Sequence, residues 1–178
     1  MLATEEDSCL ASIYISKIMK IRNEIKRKLI WWGNLQFAPF VGVSLLMSYL
    51  IFIFYIPAAL FLPPRASSGD IHFFKLIESI IIAPVIETLI FQAGLIYLID
   101  RFLTNKITFQ IAISSVLFGL FHNYNITYIF FGVFLGVILS TAFILYERKN
   151  NWSDAYIAVV FIHALRNMIA IGIVLLRM

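Results

Sequence analysis

Four polar residues interrupt long apolar stretches of the sequence: Glu87, His122, His163 and Asn167. A carboxylate can act as a general base, and imidazole or amide groups can move protons or donate hydrogen bonds to a developing oxyanion. His163 and Asn167 are four residues apart, so they share one face if their segment is helical. The set suits hydrolysis of a peptide bond by activated water. Each histidine or amide taken alone is equally typical of a hydrogen bond between packed helices.

These residues lie in a chain that is too apolar for an ordinary water-soluble domain. The 178 residues are 61% hydrophobic and 13% charged, with a mean hydropathy of +0.91. Soluble domains are about 45–50% apolar and about 25% charged. A chain this apolar would not stay solvated as a disordered segment. The remaining class is an integral membrane protein, in which a charged side chain deep in the bilayer costs about 2.5–3.5 kcal/mol.

The alternation of apolar runs and loops predicts an all-α fold, a polytopic membrane helical bundle of about five transmembrane helices. The predicted spans are 37–62, 76–98, 107–122, 126–146 and 155–176. A loop rich in turn-forming residues is expected at 63–70. The uncharged stretch 107–146 is too long for one helix and is expected to break at 122–125, where four polar residues follow one another.

Residues 1–32 are predicted to form a cytoplasmic amphipathic basic segment, and 33–178 the transmembrane bundle. Six of the fourteen basic residues occupy twelve positions: Lys17, Lys20, Arg22, Lys26, Arg27 and Lys28. An apolar stripe at helical spacing accompanies them: Ile18, Ile21, Ile25 and Leu29. We expect this segment to contact anionic lipid rather than nucleic acid. An N-terminus in the cytoplasm also places ten Lys and Arg residues inside and three outside.

Two features concern the packing of the helices around the polar residues. Pro84 precedes Glu87 by three residues, and because proline lacks an N–H we expect it to free the carbonyl of Ile80 and bend the helix beside protein or water. Gly132 and Gly136 form a small-xxx-small seam, which indicates close helix packing. Glu78, near a helix end, is interpreted as structural, and His72 as a solvated loop residue.

Three segments resemble the motifs of the CPBP family, which includes CAAX prenyl endopeptidases and Abi-like bacteriocin-processing enzymes. Segment 83–92 reads APVIETLIFQ and is similar to the first motif, Glu-Glu-x-x-x-Arg preceded by Ala-Pro. Segment 118–122, FGLFH, matches Phe-x-x-x-His, and segment 163–167, HALRN, matches His-x-x-x-Asn. The motifs occur in the family's order on three separate predicted spans, over about 77–171.

This resemblance implies an intramembrane endopeptidase that cleaves a membrane-associated peptide or protein. The family's catalytic base is the leading Glu of the first motif, which corresponds to Glu87. The motif histidines and amide correspond to His122, His163 and Asn167, and the motif aromatic to Phe118.

The chain departs from the first motif at two positions. Thr88 stands where the family has a second Glu, and Gln92 stands where it has Arg. Arg166 is a candidate replacement for the missing cation, and in that role its guanidinium is expected to approach Glu87. The departures also leave open a catalytically inactive binding or immunity protein on the same scaffold. A proton-coupled transporter subunit ranks last, because the other spans offer few polar residues to line a path.

Cofactor and partner expectations follow from the same residues. Glu87, His122 and His163 are a possible zinc set of the catalytic type. Zinc would however use Glu87 as a ligand, and Thr88 cannot then serve as the base, so metal-free hydrolysis without a cofactor is favoured. The single cysteine, Cys9, allows no intrachain disulfide. The expected partners are the substrate and the lipid bilayer, without nucleic acid, and homo- or hetero-oligomers are open. The Ile-, Phe-, Asn- and Lys-rich composition favours a bacterial cytoplasmic membrane.

Overall fold

Helices make up the computed structural model of the protein, which describes residues 5–60 and 73–176. Within these ranges there are six helices and no strands: α1 Glu5–Gly33, α2 Phe37–Leu60, α3 Phe73–Phe102, α4 Ile107–Phe121, α5 Ile126–Lys149 and α6 Trp152–Leu175. The prediction of an all-α bundle is confirmed. The predicted loop at 63–70, His72 and the last two residues of the first predicted span lie outside the described residues.

Three of the described helices are long and apolar enough to cross a membrane: Phe73–Phe102, Ile126–Lys149 and Trp152–Ile173. Phe37–Leu50 and Ile107–Phe121 are shorter apolar stretches. At 1.5 Å per residue, the 15 residues of α4 extend about 22 Å, less than the roughly 30 Å hydrocarbon core. The chain is an integral membrane protein, and α4 is its shortest candidate span.

Helix α5 lies at the centre of the bundle, where it packs against α2, α4 and α6. Its contact with α4 is close because glycines line it. A Cβ added to Gly119 would lie 2.4 Å from Cγ2 of Val133, and one added to Gly136 would lie 2.8 Å from the Cα of Ser115. A Cβ on Gly132 would lie 2.9 Å from the Cα of Gly119. The predicted glycine seam is confirmed, and it holds the C-terminal end of α4 against α5.

Helix α3 contains two π-helical segments, Glu78–Ile82 and Thr88–Gly94, on either side of a short α-helical stretch that ends at Glu87. The N–H of Ala83 bonds to the carbonyl of Glu78, five residues back instead of four. In this register the missing N–H of Pro84 lies opposite the carbonyl of Ser79. The expectation that Ile80 would lose its partner is therefore corrected by one residue, because the π turn adds a residue to the helix.

Candidate active site

Three helices bring Glu87, His122 and His163 together. Glu87 lies in α3, His122 follows the last residue of α4, and His163 lies in α6. Oε2 of Glu87 is 3.6 Å from Nε2 of His122 and 3.7 Å from Nε2 of His163. The Glu87 and His122 side chains keep 15% and 19% of their surface exposed, whereas His163 keeps 2%. Residues separated by up to 76 positions thus form one cluster that water can reach from the Glu87 and His122 side.

Neither imidazole is directly hydrogen-bonded to Glu87. Both nitrogen–oxygen distances, 3.6 and 3.7 Å, exceed that of a direct hydrogen bond. Nδ1 of His122 lies 2.8 Å from the carbonyl oxygen of Phe118. Since a carbonyl only accepts, Nδ1 of His122 donates this bond, and Nε2 of the neutral ring is then an acceptor facing Glu87.

Phe118 is fully buried and its ring contacts both imidazoles. Its ring centroid lies 4.6 Å from that of His122 and 5.8 Å from that of His163. Phe91, from α3, meets the same ring edge to face at 5.6 Å. The aromatic residue of the second motif therefore sets the spacing and tilt of both histidines through packing.

Asn167 bonds to the backbone of α3. Its Nδ2 donates to the carbonyl of Ser79 at 3.0 Å, and its Oδ1 accepts from the guanidinium of Arg166 at 3.2 Å. The carbonyl of Ser79 is the one that Pro84 leaves without a donor. Asn167 therefore compensates for the proline and ties α6 to the first π segment of α3.

Two further side chains hydrogen-bond to carbonyls of α3. The hydroxyl of Tyr156, in α6, donates to Val85 at 3.0 Å, and that of Ser114, in α4, donates to Phe91 at 2.7 Å. We call Ser114, Tyr156 and Asn167 the carbonyl clamp. Two of its acceptor carbonyls, those of Ser79 and Val85, precede Glu87 in α3, and the third, that of Phe91, follows it. Tyr156 and Ser114 were not predicted as site residues from the sequence, in which Pro84 was the one signal that α3 would have unpaired carbonyls.

Arg166 lies between the cluster and α5. Its guanidinium lies over the ring of Phe131, 4.5 Å from the centroid, and donates to Oδ1 of Asn167 at 3.2 Å. These contacts direct the side chain towards α5, to which Phe131 belongs. The approach of the guanidinium to Glu87 stays a prediction.

Thr88 and Gln92 lie on one face of α3, and both are fully buried. The hydroxyl of Thr88 and both amide atoms of Gln92 make no hydrogen bond to the residues that the structure describes. The same holds for Nδ1 of His163. The two departures from the first motif thus place neutral polar groups, instead of charges, in a fully buried part of the bundle, where a neutral group is far less costly to bury than a charge.

A zinc ion would find the right kinds of donor here. Tetrahedral zinc, with bonds of about 2.0–2.1 Å, would hold its ligand atoms about 3.3–3.4 Å apart. The observed separations of 3.6 and 3.7 Å are wider. Among the described residues, no three His, Cys, Asp or Glu side chains are arranged to hold a metal ion.

The three motifs all fall within a known family model. The model described as Type II CAAX prenyl endopeptidase Rce1-like matches residues 70–169, which is more than half of the chain. No curated protein and no solved structure matches the chain significantly.

Proposed function

Because the chain belongs to the Rce1-like family of type II CAAX prenyl endopeptidases, we propose that it hydrolyses a peptide bond of a membrane-associated peptide or protein with Glu87 as the general base. Family membership supports intramembrane endopeptidase activity in general. One observation carries the assignment of residues, namely that Oε2 of Glu87 lies within 3.7 Å of Nε2 of both His122 and His163.

The first step is the attack of water on the substrate carbonyl. The water lies between Glu87 and His122, donating a hydrogen bond to each. Glu87 takes one proton as the water oxygen forms its bond to the carbonyl carbon. General-base catalysis of this kind contributes about 10²–10⁴-fold to the rate.

Histidine 163 is the proposed oxyanion donor. With its proton on Nε2, the buried ring of His163 donates to the oxygen that gains negative charge in the tetrahedral intermediate. Such a donor is more effective in a site from which water is excluded. The intermediate then collapses, the C–N bond breaks, and the proton held by Glu87 passes to the leaving amine. The products are a new carboxyl and a new amino terminus.

Asn167 is proposed as a positioning residue. Its hydrogen bond to the carbonyl of Ser79, together with the bonds of Ser114 and Tyr156, stabilises α3 in the register that points Glu87 at the histidines. This differs from the direct oxyanion contact that the residue types suggested.

Hydrolysis without a metal is proposed because it gives each polar residue one role. Glu87 would be the base, whereas in a zinc site it would be a ligand. The test is the zinc content and activity of the purified protein. We expect no stoichiometric zinc and full activity after treatment with a strong chelator. Activity that disappears with the chelator and returns with zinc would overturn this part of the proposal.

The principal experiment compares the N- and C-termini of membrane proteins in cells carrying the wild-type chain or Glu87→Gln. The variant keeps the size of the side chain and removes the base, so we expect cleavage to fall about 10²–10⁴-fold while the protein level is unchanged. Glu78→Gln is the matched control, since Glu78 is an exposed carboxylate of the same helix, and it should cleave like the wild type. Termini that persist in Glu87→Gln would exclude Glu87 as the base.

A binding or immunity protein without protease activity is the second candidate. The observation that favours it is the replacement of the family's Glu and Arg by Thr88 and Gln92, which are both buried. Identical termini in the two strains, with a phenotype that persists in Glu87→Gln, would support this candidate and refute the protease.

A further inference from the structure

The first helix is uncovered over most of its length. Every residue from Tyr14 to Trp31 is exposed, and the next residue, Trp32, keeps only 3% of its surface. Most helical stability in proteins comes from packing of an apolar face against a partner. The apolar stripe of α1 is open as well, with Ile18, Ile21 and Ile25 48%, 50% and 54% exposed.

Basic residues flank the apolar stripe on both sides. At 100° per residue, Ile18, Ile21, Ile25 and Leu29 fall on one side of the helix. Arg22 and Lys28 border this stripe, Lys17 and Lys26 lie on the two flanks, and Lys20 and Arg27 lie on the back. Between residues 17 and 28 the one acidic residue is Glu24. Cationic flanks beside an apolar stripe match the interface of a bilayer whose headgroups are negative.

We propose that α1 binds along the surface of a bilayer that contains anionic lipid, with its apolar stripe in the interface and its basic flanks against the headgroups. Lipid binding by α1 does not depend on peptide hydrolysis. The proposal assigns anionic lipid as the binding partner of the basic residues between positions 17 and 28.

The way in which α1 joins the bundle supports this partner. The indole Nε1 of Trp32 donates to Oγ of Ser44, and Nζ of Lys149 donates to the carbonyls of Asn34 and Leu35 at 2.7 and 2.9 Å. These contacts tie the end of α1 to the beginning of α2 and the end of α5. Since membrane-spanning helices begin and end at the bilayer surface, α1 leaves the bundle at that level. Trp31, 55% exposed, is typical of this interface.

The test uses the full-length protein in vesicles, with Cys9→Ser as background and one spin label on α1. Ile21→Cys places the label on the stripe, and Asn23→Cys places it on the opposite side. Accessibility to oxygen and to a water-soluble nickel chelate measures the depth of each label. In vesicles of phosphatidylglycerol and phosphatidylcholine we expect the label at 21 to be deep and the label at 23 to be shallow.

Charge removal tests the electrostatic part of the proposal. Each of Lys17→Gln, Arg22→Gln and Lys28→Gln should lower the ratio of docked to undocked helix about fivefold. Lys75→Gln, in the first turn of α3, is the matched control and should leave it unchanged.

Equal depth at positions 21 and 23, or equal docking in pure phosphatidylcholine, would overturn the proposal. Spin–spin broadening that grows with the protein-to-lipid ratio would show that a second copy covers the stripe, and this would overturn it too.

Discussion

Glu87 presents one carboxylate oxygen to two imidazoles with different surroundings. The ring of His122 is partly exposed and bonds through Nδ1 to the carbonyl of Phe118, whereas His163 is buried. This difference supports different proposed roles, with His122 orienting the water and His163 facing the oxyanion. The roles stay predictions, while the proximity of the three residues is a property of the structure.

At the same scale, Thr88 and Gln92 can be changed back to the family's residues. Because both are fully buried, Thr88→Glu or Gln92→Arg alone would bury an unpaired charge, and breaking a buried ion pair in this way costs about 3–5 kcal/mol. The double variant restores a pair four residues apart on one face. We expect each single variant to lose thermal stability in detergent and the double variant to recover most of it.

Activity of the double variant is measured beside its stability. If the double variant loses as much stability as the two single variants together, residues 88 and 92 do not interact. A gain in cleavage over the wild type would indicate that the neutral pair had weakened catalysis.

At the scale of the helices, side chains of α4 and α6 donate hydrogen bonds to backbone carbonyls of α3. Tyr156→Phe removes the donor to the carbonyl of Val85, which also accepts from the N–H of Thr88. The carbonyl therefore stays paired, and the loss is that of one hydrogen bond, about 1 kcal/mol. We expect kcat to fall about fivefold with KM nearly unchanged, because the orientation of Glu87 changes and substrate binding does not.

Tyr97→Phe is the control for this variant, since Tyr97 is an exposed tyrosine of α3, the helix to which Tyr156 donates. The kinetics are measured on the substrate that the comparison of termini identifies. A rise in KM at constant kcat would place Tyr156 in substrate binding instead of positioning.

The glycine seam between α4 and α5 gives a second prediction at this scale. In Gly136→Ala the new Cβ would meet the Cα of Ser115 at 2.8 Å, so the helices must separate. Overpacking of this kind costs typically about 1–3 kcal/mol. Gly42→Ala and Gly172→Ala are controls, because nothing lies within 4 Å of the added carbon. Thermal unfolding in detergent should show a loss for Gly136→Ala and none for the controls, and equal melting temperatures would contradict close packing at the seam.

At the scale of the whole molecule, the short length of α4 leads to a prediction about membrane topology. If α4 crosses the bilayer, the two loops that flank it lie on opposite sides. In a Cys9→Ser background, Asn105→Cys and Asn123→Cys should react with a membrane-impermeant maleimide from opposite faces of sealed vesicles. The predicted cytoplasmic location of the N-terminus would place Asn105 inside. Because α4 extends about 22 Å, we also expect Asn123→Cys to react more slowly. Labelling of both cysteines from one side would show that α4 is re-entrant.

The sequence alone determined the class of the protein and the residues that form the cluster. Apolar runs separated by charged loops set the helices, because hydropathy and breaks are local properties of the chain. The three motifs identified Glu87, His122 and His163, and the glycine spacing identified the seam. Family membership and the all-α fold are confirmed.

Only the tertiary structure decided which partners these residues have. The spacing of residues in the sequence does not predict a π turn. Such a turn adds one residue to the helix and rotates the residues that follow by about 100°. For that reason Ser79, instead of Ile80, is the carbonyl that needs a donor, and Asn167 provides it. The rotation and packing of the helices also placed Arg166 over Phe131. They also brought Tyr156 to Val85, a contact between residues 71 positions apart.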